Sequence, residues 1–165
     1  MTAHEQLTHT FYAAFQRKDW RTMAACYHAE ARFSDPVFPE LRGAAVGTMW
    51  QMLLTAGKDL RMEFDAPITE GEVVTCRWRA FYTFSKTGRP VENHIRATLR
   101  FRDGKIFAHT DHFDLWKWSR MALGPTGWLL GWSSLVQGKV RALAKKSLEQ
   151  FAASSSLTDI NSKYG

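Results

Sequence analysis

Cysteine is nearly absent from this chain. Cys26 and Cys76 are the only two, and their separation matches no redox or metal-ligand spacing, which excludes a disulfide framework and a thiolate metal centre. Each lies among apolar neighbours, so both are expected to be reduced packing residues. Long apolar runs are missing too: no stretch approaches the roughly 18 residues that a membrane-spanning helix needs. The start, MTAHEQLTHTF, has neither the basic nor the apolar region of a secretion signal. A cytoplasmic location is the expectation that follows. No internal repeat is visible.

What is present fits one soluble domain with a substantial core. The chain has 165 residues, 45% of them hydrophobic and 23% charged, with eleven Phe and seven Trp to wall a core or a pocket. A net charge of +6 makes nucleic acid or an anionic surface worth weighing. No nucleic-acid recognition motif accompanies it.

Helical periodicity dominates the first third. His4 to Gln16 carries Leu7, Phe11, Ala14 and Phe15 on one face. Asp19 is placed to cap a second helix, in which Trp20, Met23, Ala24 and Tyr27 recur at helical spacing. A short extended piece is expected over Ala31 to Val37, broken by Pro36. Val46, Met49, Trp50, Leu53 and Leu54 mark a third helix ending near Gly57.

From Leu60 the period changes to two. Val74, Cys76, Trp78, Ala80, Tyr82 and Phe84 alternate with polar residues, SKTGRP supplies a loop, and Val91, Asn93, Ile95, Ala97, Leu99 and Phe101 return on one face. Asp103-Gly104 is a hairpin signal, and a last strand runs from Lys105 into HTDHFDLWKW. Helices followed by an antiparallel meander predict an α+β fold, with the helices on one face of a curved sheet.

Strand parity sorts that last segment. Phe107, His109, Asp111, Phe113 and Leu115 share one face, and Ala108, Thr110, His112 and Asp114 share the other. The first set is mostly apolar and must turn inward, which carries His109 and Asp111 inward as well. The same split separates the histidines and aspartates that would otherwise form a metal cluster, so no metal site is expected. Asp111 is then either a satisfied polar group in the core, bonded to Tyr12 or a helix end, or it lines a pocket with Asn93 and Asp35. Burial would raise the pKa of either carboxylate toward a range useful for acid/base chemistry.

The phrase YHAEARFSDPVFPELRG, from Tyr27 to Gly43, and the ending DGKIFAHTDHFDLWKW resemble the SnoaL-like branch of the nuclear transport factor 2-like superfamily. The resemblance covers residues 4 to 118. It implies a cone of strongly bent antiparallel sheet closed by three N-terminal helices, with a pocket in its mouth, commonly in a homodimer. In ketosteroid isomerases, Asp35 matches the general base and Tyr12 the oxyanion tyrosine, while the acid that completes that oxyanion hole falls at Ala97. In limonene epoxide hydrolases, Asp111 matches the water-activating aspartate, while its Arg and Asp partners fall at Trp78 and Ala80. Polyketide cyclases of the SnoaL type pair an aspartate with a histidine, as Asp111 and His109 stand here.

Two functions are carried forward. The first is a cofactor-independent acid/base enzyme of isomerase, cyclase or hydrolase type for a small apolar molecule. Asp111 or Asp35 moves the proton, Tyr12, His109 or Asn93 polarises an oxygen, and Trp78, Tyr82, Phe101 and Phe113 hold the apolar skeleton. The second is a non-catalytic ligand-binding or dimerisation module, favoured by the partners missing at Ala97, Trp78 and Ala80. The two part on whether space opens around Asp111. Nucleic acid is a third class and is not expected.

A homodimer is expected through the outer sheet face, where Arg77, Arg79, Arg96, Arg100 and Arg102 would meet Glu92, Asp114 and His112 of a second copy. Residues 119–152 read as an apolar connection and a basic amphipathic helix, with Leu135, Val136, Val140, Leu143, Ala144, Leu148 and Phe151 on its stripe. That helix is expected to pack on its own assembly rather than on a membrane, with WLLGW bordering the pocket. Residues 153–165 read as a disordered polar tail.

Overall fold

The structure is a computed structural model that describes residues 1–164, with side chains through residue 156. Helix α1 (Ala3–Gln16) starts at a reciprocal cap: Thr2 Oγ1 accepts from Glu5 N at 3.1 Å, and Glu5 accepts from Thr2 N at 2.7 Å. The same carboxylate also takes the backbone N–H and hydroxyl of Thr69. Those donors hold Glu5 down at about 2. Asp19 caps α2 (Trp20–Ala25) as expected, accepting from Thr22 N at 3.1 Å.

Tyr27 does not continue that helix. It opens β1 (Tyr27–Ser34), because Cys26 O is taken by Ile106 N at 2.9 Å and the chain is drawn into the sheet. Tertiary pairing here overrides a helical period of apolar residues. The extended piece expected over Ala31 to Val37 therefore starts earlier and ends at Ser34. After β2 (Leu41–Arg42) comes α3 (Ala44–Ala56), which stops at Gly57.

The remaining strands are β3 (Arg61–Phe64), β4 (Ile68–Glu70), β5 (Val73–Phe84), β6 (Arg89–Arg102) and β7 (Lys105–His112). Their order is β2-β1-β7-β6-β5-β3, with β4 also on β5. All neighbours are antiparallel except β1 and β7, which run parallel. Two strands thus precede residue 60, where none but a short extended piece was expected. Asp103 and Gly104 both take positive φ, 50° and 69°, in the tight turn between β6 and β7. The curled sheet closes over α1 and α3 around Phe11, Phe15, Phe33, Trp50, Trp78 and Leu99, all buried. This is the expected cone-shaped α+β architecture.

One local irregularity decides which residues face that interior. Arg100 pairs with Ala108 but Phe101 pairs with Ile106, so β7 carries one extra residue, Phe107. Ile106 is buried, whereas Phe107 turns outward beneath the Arg102 guanidinium, 3.5 Å from its ring centre. The expectation that Phe107 shares a face with His109 is corrected by this bulge. Beyond it, His109 and Asp111 point inward, as predicted.

β7 ends at His112, before the rest of HTDHFDLWKW. Asp114 instead caps α4 (Leu115–Leu123), accepting from Lys117 N at 3.0 Å. Then follow α5 (Pro125–Leu130) and α6 (Ser134–Tyr164). The tail from residue 153, expected to be disordered, continues α6 as far as Tyr164; Gly165 lies outside the described residues.

The arginine stripe meets acids of its own chain. Arg79 pairs with Glu63 at 3.2 Å, Arg96 with Glu70 at 3.2 Å, Arg100 with Glu72 at 3.4 Å and Arg102 with Glu30 at 3.5 Å. Glu92, assigned to a second copy's arginines, pairs instead with His94 at 2.8 Å. The electrostatic motive for a dimer through this face is thereby largely satisfied within one chain. The homodimer itself remains a proposal.

Candidate active site

β7 delivers His109 and Asp111 side by side into the cone, where both are buried. His109 Nε2 lies 3.0 Å from Asp111 Oδ1, and His109 Nδ1 lies 2.6 Å from the Tyr27 hydroxyl. Trp50 Nε1 donates to that hydroxyl oxygen at 3.0 Å, and Trp78 Nε1 donates to Asp111 Oδ1 over 3.4 Å. A polar line thus crosses the core from α3, through β1 and β7, to β5. Phe11, Phe33 and Trp50 pack their rings around the imidazole with centroids 5.1 to 6.2 Å away. Each of the atoms named in this line has a partner, as burial requires.

Tyr12 departs from that rule. Its ring is fully buried, and its hydroxyl is the one buried side-chain N or O atom without a hydrogen-bond partner among the described residues. Burial, and next the charge of Asp111, push its pKa well above the usual phenol range. The Tyr12 O–H is therefore retained as a donor, and leaving it unmatched costs about 1–3 kcal/mol.

Asp35 sits in the turn after β1. Its Oδ1 accepts from Val37 N at 2.7 Å and Phe38 N at 2.5 Å. Burial is the largest influence on its carboxyl and raises it to about 6, aided by the charge of Asp111 and opposed by these N–H donors and by His109. Burial, aided by the charge of Asp35, pushes up the pKa of the half-buried Tyr82 phenol, whose oxygen accepts from Trp118 Nε1 at 2.7 Å.

The other expected site residues divide. Trp78 reaches Asp111 directly. Tyr82 and Phe113 stand at the mouth of the cone with Val37, each packed between the main core and a second cluster of Val91, Leu115, Trp118 and Ala122. Phe101 is nineteen residues from Tyr82 in the chain and at the opposite end of β6, stacked on His4 at 4.2 Å. It cannot form one wall with Tyr82 and Phe113. Asn93 is half-buried and lies four residues along β6 from Ala97, the strand partner of Asp111. That is on the order of 13 Å along the strand.

The C-terminal helices close the mouth. α6 lays Val140, Ala144 and Leu148 onto the domain, and Arg141 Nε donates to Pro36 O at 2.8 Å beside the Asp35 turn. WLLGW does not border this space. Trp128, Leu129, Leu130 and Trp132 all face outward. Two surface hollows, of about 390 and 590 Å³, open on the sheet's outer face and beside Tyr82 and Met121; neither is lined by Asp111, His109 or Tyr12. Among the described residues no His, Cys, Asp and Glu cluster is arranged to hold a metal ion.

Sequence reasoning missed Tyr27 and Trp50 as members of the polar line. The available signal was the alternation of Tyr27, Ala31 and Phe33 with polar residues, which competes with the helical period of WRTMAACY.

A model of the SnoaL-like domain matches residues 8–109. The chain belongs to this family. Its fold is shared with an NTF2-like protein from Burkholderia thailandensis at 22% identity, with 69% of this chain and 92% of that one covered and a TM-score of 0.61. A putative polyketide cyclase from Xanthomonas campestris is similar at 22% identity, with coverages of 70% and 93% and a TM-score of 0.59. An LEH-like epoxide hydrolase from M. tuberculosis is similar at 18% identity, with coverages of 81% and 95% and a TM-score of 0.58. No curated protein matches the chain. One scaffold of this kind hosts several chemistries, so activity lies in the site and not in the fold. No helix among the described residues is long and apolar enough to cross a membrane.

Proposed function

We propose that this SnoaL-like protein is a cofactor-independent acid/base enzyme for a small apolar molecule bearing a carbonyl, lactone or epoxide oxygen. The observation that carries this reading is the unmatched Tyr12 hydroxyl buried within the field of Asp111. A ligand oxygen placed against it would accept the hydrogen bond that the protein leaves unmade. Asp111 would take the proton from the substrate carbon or from an attacking water. His109 orients the carboxylate, and Tyr27 orients His109. Asp35, poised at about 6, is suited to hand a proton back near neutral pH. Approach would be from the hollow beside Tyr82, with the α4 and α6 cover loosening to admit the ligand.

One observation favours the alternative, a non-catalytic binding or dimerisation module: aromatic side chains pack the core around Asp111. A panel of cyclic ketones, lactones and epoxides separates the two. Ligands that raise the melting temperature are followed for turnover with wild type, Asp111→Asn and Tyr12→Phe. The enzyme reading expects binding in all three and a fall in kcat of about 100-fold or more for Asp111→Asn. Binding without turnover in wild type selects the module, and equal turnover in all three removes these residues from the chemistry.

A further inference from the structure

The sequence distributes charge unevenly. Residues 115–148 contain Lys117, Arg120, Lys139, Arg141, Lys145 and Lys146 and no acid, which leaves sixteen cations against sixteen acids elsewhere. The whole net charge of +6 therefore resides in this segment. The same segment carries most of the large apolar side chains left in solvent: Trp128 is 60% exposed, Leu129 73%, Trp132 66% and Leu135 68%, joined by Leu130 and Leu143. The stripe expected on α6 splits accordingly. Val136, Val140, Ala144 and Leu148 turn toward the domain, while Leu135 and Leu143 join the outward set.

This patch is held in place by close packing. A Cβ on Gly127 would lie 1.9 Å from Ser119 O, and one on Gly131 would lie 2.7 Å from Ser119 Cβ. Only glycine allows α5 to seat this tightly on α4, and seating it there presents Trp128, Leu129 and Leu130 outward. Arg120 lies over both Trp116 and Trp128, 4.5 and 5.0 Å from the ring centres, bringing a cation to the aromatic rim.

We infer that α5, the turn after it and the start of α6 dock the protein on an anionic lipid surface. Tryptophan and leucine would enter the headgroup boundary, and the surrounding lysines and arginines would meet lipid phosphate and carboxylate. A second copy fits this surface poorly. A twofold contact places a patch against itself, so an acid-free cationic segment would face its own like charges. The inference does not depend on the enzyme reading.

The test is sedimentation of the full chain with vesicles of phosphatidylcholine, alone or with about 30% phosphatidylserine, at low and high salt. The expected result is at least about tenfold more binding to the anionic vesicles, reversed by salt, with a blue shift of tryptophan fluorescence. Trp128→Ser/Leu129→Ser/Trp132→Ser should lose the binding while keeping its melting temperature. Lys139→Glu/Lys145→Glu/Lys146→Glu, which leaves these apolar residues in place, should lose it as well. Absence of binding to anionic vesicles at low salt overturns the inference. So does undiminished binding by the serine variant. A wild-type dimer in sedimentation velocity that the serine variant dissolves, without vesicle binding, assigns the patch to a second copy instead.

Discussion

Asp111 receives a hydrogen bond from His109, two positions earlier on the same strand face, at 3.0 Å. The direction of that bond follows from residues further along the line. Trp50 can only donate, so it occupies the Tyr27 oxygen and leaves the Tyr27 O–H to point at His109 Nδ1. Nδ1 is then the acceptor, and Nε2 carries the hydrogen given to Asp111. One tautomer satisfies every partner, and α3 fixes it from the far side of the core.

Tyr27→Phe should therefore be more harmful than loss of one hydroxyl suggests. It strands both the Trp50 indole N–H and His109 Nδ1 in the core. The expected destabilisation is about 2–4 kcal/mol in urea denaturation, as two buried groups lose their partner. A change under about 0.5 kcal/mol would mean that water or a rotated ring replaces the hydroxyl.

Asp35 gives the protein a pH dependence of defined sign. Its carboxyl is raised from 3.8 to about 6, so between those values the folded state holds a proton that the unfolded state releases. Its contribution is fully present below about pH 4 and is lost as pH rises through about 6, amounting to about 3 kcal/mol. Asp35→Asn keeps an oxygen for Val37 N and Phe38 N while removing the titration. Stability of wild type relative to this variant should fall from pH 4 to pH 7 in parallel urea titrations. A flat difference would show that Asp35 ionises as freely folded as unfolded.

Arg141→Ala tests the closure of the mouth. The guanidinium donates to Pro36 O from α6, and Asp35 accepts from the neighbouring Val37 and Phe38 amides. Removing it should cost about 1 kcal/mol of stability and speed hydrogen exchange at the Val37 and Phe38 amides beyond that global change. Unaltered local exchange would leave the cover held by Val140, Ala144 and Leu148 alone.

The parts of the fold with strong local period were legible in the sequence. α1, α3, the Asp19 cap and the β5–β6 alternation stand where the pattern placed them, because side-chain period and burial agree there. His109 and Asp111 do point inward, but Phe107 and Leu115, counted beside them, do not share that face. One is turned out by the bulge and the other lies in α4. A bulge is set by pairing with β6 and leaves no trace in a period of two. Tyr27 was hidden for a similar reason, since the bond from Ile106 that ends α2 comes from eighty residues away in the chain. The acids that quiet the arginine stripe, Glu30, Glu63, Glu70 and Glu72, are likewise brought by other strands and by the β4–β5 turn.

The extra residue in β7 also bears on how such a scaffold diverges. Lifting Phe107 out of the strand would leave Ile106 opposite Phe101, Ala108 opposite Arg100 and His109 opposite Leu99, so His109 and Asp111 would stay in the cone. A codon lost at Thr110, beyond the bulge, would instead set Asp111 opposite Thr98 and turn it out of the cone. The buried acid would then be lost while its side chain survived in the gene. Gain or loss of a buried acid in this architecture can thus be a matter of insertion and deletion, with no substitution at the acid itself.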